Sequence, residues 1–208
     1  MAKYENIRAL AKKQLQTVTE SSDRWKEFLR TAAIAYNYSF PNQLLIYAQN
    51  PTATAVADMD YWNKNAGRRV KRGAHGTAVF DTRANSPRLR YLFDISDTIP
   101  IHEISEALPW AVTDQNWKPV WDKIIVDNHA DSIQSALLMI STSYVAQRSA
   151  MFTTALEKAV DGSSLQWAKP NEQRRLFLQI VTQSCLYMAA LRCGVDTARL
   201  DLSALESV

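Results

Sequence analysis

Apolar residues recur at three- and four-residue steps at the start of the chain: Ile7, Leu10, Ala11, Leu15 and Val18. That spacing predicts an amphipathic helix over 3–18. Ser21-Ser22-Asp23 is a run of N-cap residues, and Glu27 follows where the helix dipole favours an acid. A second helix is predicted over 23–36, with Trp25, Phe28, Leu29, Ala32 and Ala33 as its apolar stripe. Pro41 suits a first helical position and opens a third helix over 42–49, which Pro51 stops. The period then changes. Residues 53–56 read as a short strand, 58–65 as one helical stretch, and Gly67 as its C′ residue. Arg69-Val70-Lys71 alternates, and Gly73-Ala74-His75-Gly76 is a turn. Residues 77–81 form a strand; 89–95 alternate with Leu89, Tyr91, Phe93 and Ile95 on one face. Together these predict a small antiparallel sheet of three or four strands. Residues 100–109 read as irregular and acidic. Helical spacing returns over 115–128, with Pro119 in the first turn, and over 131–160, with a break near Arg148. A last long helix runs from Pro170 to Arg192 and stops at Gly194. Helices, then a small sheet, then helices argue an α+β fold. We divide it into 1–98 and a mainly helical 99–208, which can also pack as one continuous domain.

Composition adds the class. Apolar residues make up 47% and charged residues 22% of 208, which suits a folded globular chain rather than a disordered one. No window approaches the roughly 20 apolar residues of a membrane span, and the N-terminus lacks the apolar core of a signal peptide. Cys185 and Cys193 are eight residues apart in one predicted helix, about 12 Å along its axis, too far to bridge. Free thiols suit a reducing compartment. The expectation is a soluble cytoplasmic chain with no membrane partner.

Charge changes the picture more than composition does. Residues 61–93 carry eight basic side chains and one acid, a net of +7. Residues 94–131 carry eight acids and two bases, a net of −6. Such asymmetry points to a polyanionic partner for the basic segment. Candidate chemistry is sparse by comparison. The three histidines are His75, His102 and His129. His102-Glu103-Ile104-Ser105-Glu106 has Glu where a zinc-binding helix needs its second His. No Gly-x-Ser-x-Gly and no phosphate-cradling Gly-Lys-Ser/Thr occurs. These residues predict no catalytic site, no metal and no cofactor.

Five cations fall within nine residues: Lys64, Arg68, Arg69, Lys71 and Arg72. Like charges this dense repel unless an anion or solvent screens them. On a strand, Arg69 and Lys71 project from one face while Val70 anchors the other. Phosphates are bound by such an arrangement, through flexible cations on a fixed strand. Tyr61, Trp62, Phe80, Tyr91 and Phe93 lie in or beside the segment. Phe80 and Phe93 are expected in the core; Trp62 is a candidate stacking ring for single-strand bases.

Trp25, Phe28, Leu29, Tyr36 and Tyr38, then Asn42-Gln43-Leu44-Leu45-Ile46, then Trp62 followed by Gly67-Arg68-Arg69-Val70-Lys71-Arg72-Gly73-Ala74-His75-Gly76, resemble the ArdC-like antirestriction N-terminal domain. Gln43-x-Leu45-Ile46-Tyr47-Ala48-Gln49, Asp60-x-Trp62-Asn63 and Tyr91-x-Phe93-Asp94 are similar to the leading segment of large helicase or DNA-methylase proteins of conjugative elements. The resemblance implies a non-catalytic single-stranded DNA-binding module, part of a longer polypeptide. It implies contacts at Trp62, Lys64, Arg68, Arg69, Lys71, Arg72 and His75, and at Asn42 and Gln43 on the short helix. The zinc-peptidase motif that often follows in that family, His-Glu-x-x-His, does not occur here. Two other readings stay open on sequence. The domain can serve protein interaction, with its basic segment docked on its own acids, or be a metal-dependent enzyme fragment.

Overall fold

Three helices lead the chain: α1 (Ala2–Val18), α2 (Ser22–Ile34) and α3 (Phe40–Gln49). Ser21 caps α2 as its sequence suggests, its Oγ accepting from the Arg24 amide at 3.4 Å. Pro41 lies in the first turn of α3, where its missing N–H costs nothing. The apolar stripes of these helices meet a small sheet. Its strands are β1 (Val56–Ala57), β3 (Thr77–Phe80) and β4 (Leu89–Asp94), in the order β1-β4-β3 and antiparallel throughout. Between β1 and β3 lie a one-and-a-half-turn helix, α4 (Met59–Lys64), and the basic strand β2 (Arg68–Val70). The computed structural model describes residues 2–83, 86–101, 112–163 and 165–207.

The fold is α+β, as expected, but the basic strand does not join the sheet. β2 pairs antiparallel with β5 (Thr98–Pro100), Arg69 facing Ile99 and Val70 facing Thr98. The expected sheet of up to four strands is therefore three strands plus a separate two-stranded ribbon. Pro100 made this segment read as irregular. A proline cannot donate to a ladder, but the end of an edge strand tolerates it. The strand expected over 53–56 begins only at Val56, because the Thr54 and Ala55 amides turn to the Asp94 carboxylate instead.

β4 is buried on both faces toward its end. Leu92 packs with Ala11, Leu45, Ile46 and Val79, on the side of the leading helices. Phe93 packs with Ala55, Ala57 and Trp62, and half-buried Val70 closes that second cluster from the ribbon. Both clusters lie in one compact unit, Met1–Ala111. The division from the second unit falls 13 residues beyond the expected 98/99, since β5 belongs with β2.

The second unit, Val112–Val208, is helical: α5 (Trp117–Asp127), α6 (Ile133–Gln147), α7 (Ser149–Ala159) and α8 (Pro170–Arg192). The expected break falls at Arg148, whose guanidinium stacks over the Tyr144 ring at 4.0 Å. Ile133 and Leu137 of α6 meet Leu186 and Ala190 of α8, with Trp121 and Ile124 of α5 against them. The Trp121 indole N–H donates to the Cys193 carbonyl at 2.7 Å. An open groove of about 610 Å³, lined largely by apolar side chains such as Leu138, Val145 and Leu178, runs between α6 and α8. Cys185 and Cys193 are half-buried free thiols, and burial pushes both above the ordinary thiol range. Protonated thiols are poor nucleophiles. Among the described residues, no helix is long and apolar enough to cross a membrane.

Candidate nucleic-acid interface

The ribbon is fixed at both ends by backbone hydrogen bonds. The Lys71 amide donates to the Asp97 carbonyl, and the Ile101 amide to the Gly67 carbonyl, each at 2.8 Å. Gly67 lies at φ +60°, the left-handed conformation in which glycine carries little strain, and so turns the chain from α4 into β2. Alternation then sorts the side chains. Val70 faces inward onto the Trp62–Phe93 cluster. Arg69 faces outward, exposed, beside Ile99, which is 37% exposed. Lys71 and Arg72 follow it and are exposed too.

Lys71 is held in place, its Nζ donating to the Ser96 carbonyl at 2.7 Å. That leaves two of its three N–H donors for another acceptor. Among the described residues, Arg69, Lys71 and Arg72 have no carboxylate within ion-pair distance. Lys64 has one, Asp60 at 3.4 Å, one turn away with both side chains in solvent. Exposed pairs of this kind contribute about 0–1 kcal/mol, so a phosphate competes readily. His75 is exposed in the turn that follows the ribbon. Asp94, four residues before the ribbon's second strand, is buried. Its Oδ1 accepts from the Thr54 and Ala55 amides at 2.8 and 2.9 Å, and its Oδ2 from the Ser96 amide at 3.0 Å. It is committed to backbone rather than to the ribbon's cations.

Four expected contacts fall elsewhere. Trp62 is 0% exposed, and its indole N–H donates to the Phe93 carbonyl at 2.9 Å, so it offers no stacking face. Arg68 lies on the inner side with Val70. Its Nε donates to the Thr98 hydroxyl at 2.7 Å, which in turn donates to the Ile95 carbonyl. Asn42 is 1% exposed; its amide donates to the Phe80 carbonyl and accepts from the Phe80 N–H. Gln43 is half-buried and donates to the Ala35 carbonyl at 3.1 Å, satisfying the end of α2. These four hold the fold; Arg69, Lys71, Arg72, Lys64 and His75 remain on the surface.

The exposed ring near the candidate interface is a different one. Tyr91 on β4 is 39% exposed, and a Cβ placed on Gly76 would lie 2.9 Å from the Tyr91 Cβ. Only glycine fits there, and its bareness leaves the ring beside the turn that carries His75. The Lys3 ammonium lies 5.0 Å from the Tyr91 ring centroid, adding a cation to the same place. Alternation along 89–95 put Tyr91 and Phe93 on one face; Phe93 is buried in the cluster with Ala55, Ala57 and Trp62, while Tyr91 stays exposed.

Among the described residues, no three His, Cys, Asp or Glu side chains come together as metal ligands. The segment His102-Glu103-Ile104-Ser105-Glu106 lies outside the described residues. Comparison of the chain with family models, curated proteins and solved structures finds no match.

Proposed function

We propose that this chain is a single-stranded DNA-binding module, docking the phosphate backbone on the β2–β5 ribbon and stacking a base near Tyr91. The observation that carries the reading is the state of Arg69, Lys71 and Arg72. Arg69 projects into solvent from the anchored strand, and Lys71 and Arg72 are exposed just after it, with no carboxylate partner among the described residues. Unpaired cations fixed on a short ribbon gain most from a chain of phosphates, whose counterions are released on docking. Duplex readout needs a helix or a longer ribbon entering the major groove. Here each strand of the ribbon has three residues, and an exposed tyrosine stands beside Gly76, at the end of the turn that follows β2, the combination that suits single strands. The resemblance to the ArdC-like N-terminal domain agrees with this. It extends the proposal to a module of an antirestriction or conjugation protein of mobile DNA, read as one part of a larger helicase- or methylase-bearing polypeptide.

The test is a titration of labelled single-stranded and double-stranded oligonucleotides at several salt concentrations. Single strands should bind more tightly than duplex, and affinity should fall as salt rises. Each phosphate contact contributes about 0.7 to the logarithmic salt slope on single strands. Replacing Arg69 and Lys71 together by Ala should lower that slope by roughly 1.4 and weaken all sequences alike. An unchanged slope and affinity in the double variant would remove the interface.

A further inference from the structure

A second concavity in the first unit has a different character from the ribbon. It is a recess of about 130 Å³ at the outer side of β1, lined by Tyr36, Tyr38 and Tyr61 together with Asn37 and Asp58. Its volume is well below the roughly 300 Å³ at which drug-sized sites begin, so it holds one ring rather than a fused or stacked pair. Three aromatic side chains form much of its wall. Tyr36 is 52% exposed at the rim. Tyr38 is fixed, its hydroxyl donating to the Val56 carbonyl at 3.0 Å.

The polar groups are placed asymmetrically. Asp58 Oδ1 is occupied as the cap of α4, accepting from the Tyr61 amide at 2.9 Å. Among the described residues, Oδ2 faces only a loose ion pair, Arg90 Nη1 at 3.6 Å, so it keeps capacity to accept. The Arg90 guanidinium also lies over the Tyr38 ring at 5.3 Å, and its Nε is buried with no acceptor among the described residues. Arg83 is close enough to act on the Tyr38 hydroxyl and is largely in solvent. Aromatic walls, one carboxylate acceptor, one side-chain amide and two cations at the margin match the parts of a planar, hydrogen-bonding ring carried on a phosphate chain.

We infer that this recess receives one extruded pyrimidine base of the bound strand, cytosine in preference to thymine. The inference rests on the single-strand reading above and deepens it. The tyrosines supply faces to stack on. Asp58 Oδ2 accepts from the exocyclic amine that cytosine has and thymine lacks, a pairing known for carboxylates on cytosine N4. Thymine would set its O4 carbonyl against the carboxylate, acceptor to acceptor. α4, six residues and about 9 Å long, leads from Asp58 toward Gly67 at the head of the ribbon. One strand therefore reaches both places.

Two measurements test it on the whole chain. The first is titration of free deoxycytidine and of free thymidine, followed by the ring resonances of selectively labelled tyrosines. Deoxycytidine should shift Tyr36, Tyr38 and Tyr61 saturably, with thymidine weaker by several-fold. Absent shifts, or equal ones, overturn the pocket whatever the ribbon does. The second compares oligo-dC, oligo-dT and an abasic strand of equal length, which carry the same phosphate charge. Oligo-dC should bind about tenfold more tightly than the abasic strand and several-fold more tightly than oligo-dT. Asp58→Asn keeps the cap on α4 and should erase the preference between dC and dT. Tyr36→Leu should bring dC toward the abasic affinity. Equal binding of all three strands leaves the ribbon standing and overturns the base pocket. Preference for dC that survives Asp58→Asn overturns the role of the carboxylate.

Discussion

At the scale of single residues, the proposed interface rests on where carboxylates are absent and the fold on where one is buried. Asp94 is the second case. Burial alone would raise its pKa, but the amides of Ala55, Ser96 and Thr54 and the Ser96 hydroxyl outweigh it and hold the carboxyl below its ordinary range. A folded pKa below the unfolded one, about 3.9 for Asp, means the charge stabilises the fold above that value. The contribution is lost as pH falls through the depressed folded pKa. Asp94→Asn keeps an acceptor for Thr54 and Ala55 but turns an NH₂ toward the Ser96 amide. The variant should lose about 1–3 kcal/mol at pH 7. Urea titrations of both proteins should converge as pH drops below about 4. A gap that stays constant down to pH 2 would show that the charge is not what holds the loop.

At the scale of elements, α3 closes the open side of the sheet with side chains. Asn42 brackets Phe80 with one bond given and one taken. Gln49, two helical turns on, does the same to Ala78, donating at 2.9 Å and accepting at 3.0 Å. β3 is an edge strand, so these amides occupy main-chain groups that would otherwise template another strand. Asn42→Leu should strand both Phe80 groups and cost about 1–3 kcal/mol for each left unpaired. The folded variant should bind oligonucleotides as the wild type does; a selective loss of affinity without loss of stability would return Asn42 to the interface. Apolar periodicity was enough to read the helices, and Pro41, Pro170 and Gly194 marked their ends. The polar residues resisted, for a physical reason. A buried amide must be hydrogen-bonded, but its partner here lies 38 residues away in a strand the helix pattern does not mention. Trp62 resisted because a six-residue helix is too short for a stripe to distinguish its buried face. The outward direction of Arg69 was legible, since strand alternation with Val70 as anchor needs only neighbours.

At the scale of the whole molecule, the charge asymmetry pointed to a polyanionic partner and left open the alternative that acids after residue 93 neutralise the basic segment. Three of the described acids have other occupations. Asp94 serves backbone amides, while Asp122 and Asp127 pair with Lys118 and Lys123 one turn away on α5. Segment totals add up charges without saying which are already used locally, so the sequence could not separate internal pairing from an open basic surface. Cores divide more clearly than charges. The clusters around Leu92 and Trp62 are drawn from residues before 112, and the cluster around Leu186 from residues after it. A unit that owns its core folds without its neighbour. Residues 112–208 alone should give a helical circular dichroism spectrum and a cooperative melt. Dye binding by that piece is no sign of a molten state, because its groove between α6 and α8 is apolar in the folded form. The cooperative melt decides instead, and a broad non-cooperative loss of ellipticity would deny the unit its independence. Residues 1–111 should keep the single-strand affinity of the whole chain within about a factor of two, the margin expected when distant parts act independently. Loss of that affinity with the fold intact would move part of the interface onto the helical unit.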